Sequence, residues 1–233
     1  MAAKKQSPEQ RRLDADLWII ALVTGAAFAC YAVLGDRLMA VAMDGGISLA
    51  FRLLLSAGMQ FAVAGLGMSI VCLIRREPFS RFGLHKAQAA RTIAVTALCF
   101  LPSVCARILS GQFQGYRPLS IMITDDVLAS GLPGALLGMA VIAIVWGFFE
   151  GFNYAVISQK INERYPSRRV WLDNGALVCA LLCLLVHPLS TSFWGLVEML
   201  TTFFAIYGML WIKGRTGNAW GCVAAFCLIW NAV

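Results

Sequence analysis

Seven apolar runs, separated by short polar breaks, set the pattern of the chain. The first starts near Leu17 and continues to Ala42, where Asp44-Gly45-Gly46 ends it, and the second extends from Ser48 to Ile74 before Arg75-Arg76-Glu77-Pro78. Arg52 lies early in the second run, where a long stem lets it snorkel to the interface. A basic loop, Phe79 to Arg91, predicts a short interfacial helix around Lys86 to Ala90, and the third run follows from Thr92 to Leu109. Gly111 to Asp126 is the longest polar connection, and Asp125-Asp126 leads into the fourth helix. Pro133 is tolerated in its first turn, and the helix runs to Asn162. At about 1.5 Å per residue it is roughly 45 Å long, more than the ~30 Å hydrocarbon core, so its end should project into water. Tyr165-Pro166-Ser167 stops it. The fifth run spans Asn174 to His187, with Asp173 as N-cap and Pro188 as terminator, and the sixth spans Phe193 to Ile212. The seventh begins at Ala219 after a turn at Gly214 to Gly217, with Asn218 placed to cap it. At the N-terminus, Ser7-Pro8-Glu9-Gln10 has the form of a capping box, so a helix should begin before the membrane.

This pattern predicts an all-α, polytopic integral membrane protein with about seven transmembrane helices. Residues 1–16 form a cytoplasmic N-terminal segment, and residues 17–126 form the N-terminal transmembrane helices and loops. Composition strengthens the reading: 60% of residues are hydrophobic, 13% are charged, and the mean hydropathy is +0.75. A soluble domain of 233 residues could not bury that much apolar surface. The polar start before Leu17, with no small-residue cleavage pattern, predicts that the first run stays as a membrane helix. With the N-terminus cytoplasmic, all but Arg37, Arg52, Arg107 and Arg117 of the 19 basic residues fall inside, which predicts an N-in, C-out topology. The net charge of +7 is then a topology signal that also favours anionic headgroups. No basic patch alternates with exposed aromatics, so nucleic acid is not an expected partner. The eight cysteines all lie in apolar runs without a C-x-x-C pair, and read as small hydrophobes.

Chemistry is suggested first by Glu150, a carboxylate inside the apolar stretch Val141 to Ala155. A charge there costs at least a few kcal/mol and calls for a partner. Gly147 and Gly151 flank it at a spacing that allows close approach of another helix. Residue counting puts Glu150, His187, Glu198 and Asn231 on the last four helices, within about 10 Å of one level. Such a group could activate water, with His or Glu as general base and Asn polarising a carbonyl. The plainer alternatives are a protonated Glu150 bonded for packing, His187 as the polar end of a short span, Glu198 reaching the outer interface, and Asn231 at the surface.

The motif order resembles the CAAX-protease and bacteriocin-processing (CPBP) family of intramembrane proteases. FFEGFNYA matches that family's Glu-Glu-x-x-x-Arg helix with Glu150 as the first Glu, and with Gly151 and Ala155 at the second Glu and the Arg. CLLVH matches Phe-x-x-x-His at His187 with Cys183 for Phe, and CLIWN matches His-x-x-x-Asn at Asn231 with Cys227 for His. The resemblance covers about Gly131 to Val233, with an echo in Phe82-Gly83-Leu84, and implies a CPBP-like four-helix membrane core over 127–233. It implies Glu150 and His187 as the acid/base pair and Asn231 as the oxyanion donor, with Glu198 as a candidate second carboxylate. The activity implied is either that of a divergent glutamate-dependent protease or that of a catalytically reduced relative binding a membrane segment or lipid. Its partners would be the lipid bilayer and a membrane-embedded, peptidic or prenylated substrate. No cofactor is expected, because a zinc site would need Glu150, Glu198 and His187 together. Two other classes fit the same residues: a small transporter using the carboxylates and His187 as a proton relay, and a scaffold packed through Gly134/Gly138 and Gly147/Gly151.

Overall fold

The computed structural model describes residues 6–186 and 190–232, and among them there are helices and turns but no strand. Helix α1 (Pro8–Met43) starts at the predicted capping box: Ser7 Oγ accepts from Gln10 N–H at 3.1 Å and the Gln10 side chain accepts from Ser7 N–H at 3.1 Å. The second apolar run is not one helix. It divides into α2 (Leu49–Ala64) and α3 (Leu66–Arg75), bent by 62° at Gly65. The bend lets α3 turn onto α1, where Gly67 sits so close that a Cβ would lie 3.1 Å from Ile20 Cα. Arg52 does not reach for the interface as expected. It is buried, donates from Nε to the Ala42 carbonyl at 2.8 Å and pairs with Asp126, closing the exposed carbonyl end of α1.

The loop after α3 holds a 3₁₀ turn at Phe79–Phe82 and bends back through Gly83, whose φ is +102°. A separate interfacial helix at Lys86 to Ala90 is absent; that stretch turns directly into α4 (Ala89–Leu109). The loop is instead held by Asn218, whose Nδ2 donates to the carbonyls of His85 and Ala87, each at 2.7 Å. The same side chain caps the last helix by accepting from Trp220 N–H at 2.9 Å.

The polar connection carries the short helix α5 (Thr124–Ala129). After Gly131 the chain continues through α6 (Leu132–Ile142), a π-helical stretch (Ala143–Phe149) and α7 (Glu150–Arg164), together one 33-residue rod. Asp173 caps α8 (Asn174–Val186) as predicted, accepting from Ala176 N–H at 2.7 Å. Helix α9 (Phe193–Thr216) follows, then α10 (Trp220–Ala225) and a second π-helical stretch (Phe226–Trp230). Among the described residues four helices are long and apolar enough to cross a membrane, and α2 with α3 would make a fifth. Helix α8 and the terminal helix are apolar but shorter, which is why length alone does not reach seven.

Helix α7 is the hub. Phe152, Ala155 and Val156 on α7 are fully buried against Cys179 and Ala180 of α8, Ile206 and Met209 of α9, and Cys222 and Phe226 near the C-terminus. In lipid there is no hydrophobic drive between helices, so close contact depends on small residues and van der Waals packing. Gly151 on Cys222, Gly175 on Ser158 and Gly221 on Thr96 supply those contacts. Burial of Cys179, Cys183 and Cys222 in the core accords with their reading as small apolar side chains.

Candidate functional site

The 33-residue rod brings Glu150 to the first turn of α7, immediately after the π-helical stretch. There, Gln60 Nε2 of α2 donates to Glu150 Oε2 at 2.7 Å. Phe149 and Phe61, one residue along on each helix, meet edge to face with centroids 4.8 Å apart and fix the crossing. Gln60 also borders a cavity of about 250 Å³ between α1 and α2, lined mainly by Tyr31, Met39, Met59, Met122 and Trp146. Glu150 is thus joined to a neutral donor at the edge of an apolar space. Gln60 is the one amide between Ser48 and Ile74, and that isolation was the signal that could have marked it as the partner.

Glu198 and Asn231 lie elsewhere. Both line a cavity of about 260 Å³ with Phe100, Arg107 and Trp230, and Arg107 Nη2 donates to Glu198 Oε1 at 3.0 Å. A neighbouring polar space of about 390 Å³ shares Arg107 and Asn231 and adds Arg117 and Ser120. The chain end is stitched to this wall, Arg117 N–H donating to the Ala232 carbonyl at 2.7 Å and Ser120 N–H to the Asn231 carbonyl at 3.1 Å.

Helix register separates this group from Glu150. Gly147 faces Cys227 and Gly151 faces Cys222, so Glu150 is level with the region of Ala224. Asn231 is seven residues beyond, roughly 10 Å further along the axis. The structure therefore places Asn231 at one cavity with the Arg107–Glu198 pair, and joins Glu150 to Gln60. His187 lies outside the described residues.

Two of the positions at which the chain departs from the CPBP pattern, Gly151 and Ala155, are tightly packed. A Cβ on Gly151 would lie 2.5 Å from the Cys222 carbonyl oxygen and 3.1 Å from Val223 Cα, both backbone atoms. Ala155, one turn on, is fully buried in the core. At the third position, Cys227 fills the space over Gly147, where a Cβ would fall 2.3 Å from its Sγ.

A second polar centre, unforeseen from the sequence, occupies the end where α1 begins and α7 finishes. Lys160 is fully buried, and its Nζ donates to Asp16 Oδ2 at 2.9 Å and to Glu77 Oε2 at 2.8 Å. Arg75 also reaches Asp16 at 2.6 Å, and Arg12 reaches Glu77 at 2.5 Å. Arg164 grips Asp14 through two nitrogens at 2.5 and 3.0 Å. This network clamps α1, the end of α3 and α7. Among the described residues no group of three His, Cys, Asp or Glu side chains is placed to hold a metal ion.

Comparison with family profiles, with curated proteins and with solved structures finds no match to this chain.

Proposed function

We propose that this is a seven-span, CPBP-like membrane protein with reduced hydrolytic machinery, oriented N-in and C-out, that binds a membrane segment or lipid beside the Glu150–Gln60 pair. The observation that carries the reading is the contact of Gly151 with the Cys222 backbone. A second carboxylate has no room at that position, and a lone Glu150 engaged by Gln60 lacks the orienting partners that preorganised acid/base catalysis requires. The apolar cavity between α1 and α2, bordered by the Gln60 amide, suits an apolar occupant carrying one polar group.

The test compares the wild-type protein with Glu150→Gln in proteoliposomes. Crosslinking of a photoactivatable apolar peptide to Met59 or Trp146 should persist in the variant, and hydrolysis of membrane peptides should be absent from both. Hydrolysis by the wild type that disappears in Glu150→Gln would replace this reading with the divergent glutamate-dependent protease. Proton flux lost in the same variant would point to the transporter class.

A further inference from the structure

The connection between α7 and α8 is short, strongly basic and docked on the last turns of α9. Tyr207 OH donates to the Trp171 carbonyl at 2.6 Å and accepts from Asp173 N–H at 3.2 Å. The Val170 carbonyl accepts from Trp211 Nε1 at 3.4 Å and from the Arg215 guanidinium. The loop is therefore tethered at several backbone points, which fixes the side chains it presents.

Those side chains border a cavity of about 390 Å³ that includes Ser167, Arg168, Arg169, Asp173, Trp211 and Arg215. Three guanidinium groups outnumber the one carboxylate, whose Oδ1 is held by Asn162 Nδ2 and Ala176 N–H, each at 2.7 Å. The Arg215 guanidinium lies 5.0 Å from the Trp211 ring and the Arg169 guanidinium 5.4 Å from the Trp171 ring. Stacking on indole steadies a planar cation without using its forked N–H donors, which suit bidentate contact with phosphate oxygens, although Arg215 already spends one N–H on the Val170 carbonyl. Trp171 and Val170 beside the cavity are exposed, and tryptophan is a residue type enriched at headgroup level. The cavity lies where α7 and α9 both run out of apolar sequence, the depth expected of a headgroup.

We propose that this cavity binds the phosphate of an anionic phospholipid headgroup, with Arg168, Arg169 and Arg215 as its donors. The site is independent of the Glu150 region, so its test does not depend on the reading given above.

The full chain in neutral detergent is titrated with phosphatidylglycerol and, separately, with phosphatidylcholine, and the bound lipid is counted by native mass spectrometry. The wild type should hold one phosphatidylglycerol in preference to phosphatidylcholine. Arg168→Ala and Arg169→Ala, whose side chains tether no backbone, should each weaken it about fivefold. The control pair Arg11→Ala/Lys86→Ala removes two exposed charges from the same end of the molecule and should change it less than twofold. Equal weakening by the control pair would overturn the site in favour of diffuse surface attraction. Equal retention of phosphatidylcholine would overturn the headgroup's charge as the determinant. Displacement of the lipid by millimolar inorganic phosphate would overturn the lipid as ligand in favour of a free-anion site.

Discussion

Lys160 is the residue on which the fold depends most directly. A fully buried ammonium between Asp16 and Glu77 is compensated only while both carboxylates stay in place. Lys160→Met should destabilise the protein by about 3 kcal/mol, seen as a lower unfolding midpoint in detergent, because it removes the one fully buried cation that bridges Asp16 and Glu77 and leaves them to the more exposed Arg75 and Arg12. Adding Asp16→Asn to that variant should recover part of the loss, and simple additivity of the two would show that the residues are not coupled. Gly151 makes a complementary prediction. Gly151→Ala should cost about 1–3 kcal/mol, since its new methyl meets the backbone of Cys222 and Val223 and no flexible side chain can yield. At this scale Glu150 was legible, as a charge breaking an apolar run. Lys160 was not, because it lies in the polar part of a projecting helix, where a lysine looks like any solvated charge. Only the tertiary arrangement shows that α1 and the end of α3 enclose it.

At the scale of elements, stops and caps were read well because each has a local chemical cause. Ser7, Asp173 and Asn218 all make the capping contacts their types and positions suggest. The bend at Gly65 was hidden because hydropathy reports the length of an apolar run and not its direction. Glu150 and Asn231 lie roughly 10 Å apart along the axis, at the limit of the common level expected from residue counting. Counting residues assumes that every span starts at one plane, whereas register here is set by Gly147 against Cys227 and Gly151 against Cys222. The Gln60–Glu150 contact links α2 to α7, and a double-mutant cycle with Gln60→Ala and Glu150→Ala should give a coupling of about 1 kcal/mol. A coupling near zero in detergent unfolding would mean that the bond adds nothing to helix association.

For the whole molecule, the described residues hold four helices long and apolar enough to cross a membrane, or five if α2 and α3 together make one span. The Lys160 network and the Arg168–Arg169 loop lie at the end where α1 begins, and Arg107, Arg117 and Asn231 lie at the other. The basic asymmetry read from the sequence thus maps onto opposite ends of a folded body. Single cysteines introduced at Gln114 and Ser167, in a variant whose eight native cysteines are replaced by alanine, test the orientation with a membrane-impermeant thiol reagent. Intact cells should label position 114 and leave position 167 unlabelled until they are permeabilised; the reverse result inverts the topology.

The π-helical stretch before Glu150 sets azimuth as well as depth. In an α-helix each residue advances the side chains by about 100°, and a π-helical turn holds one residue more than an α-turn, so closing Ala143–Phe149 into α-helix with every residue kept would swing all of α7 about its own axis. The rod would remain long enough to cross the bilayer. Yet Glu150 would point away from Gln60, Gly151 away from Cys222, and Lys160 away from its carboxylates. The wide turn acts as a phase adjustment, keying three contacts spread along nearly three turns of helix to a single angular setting.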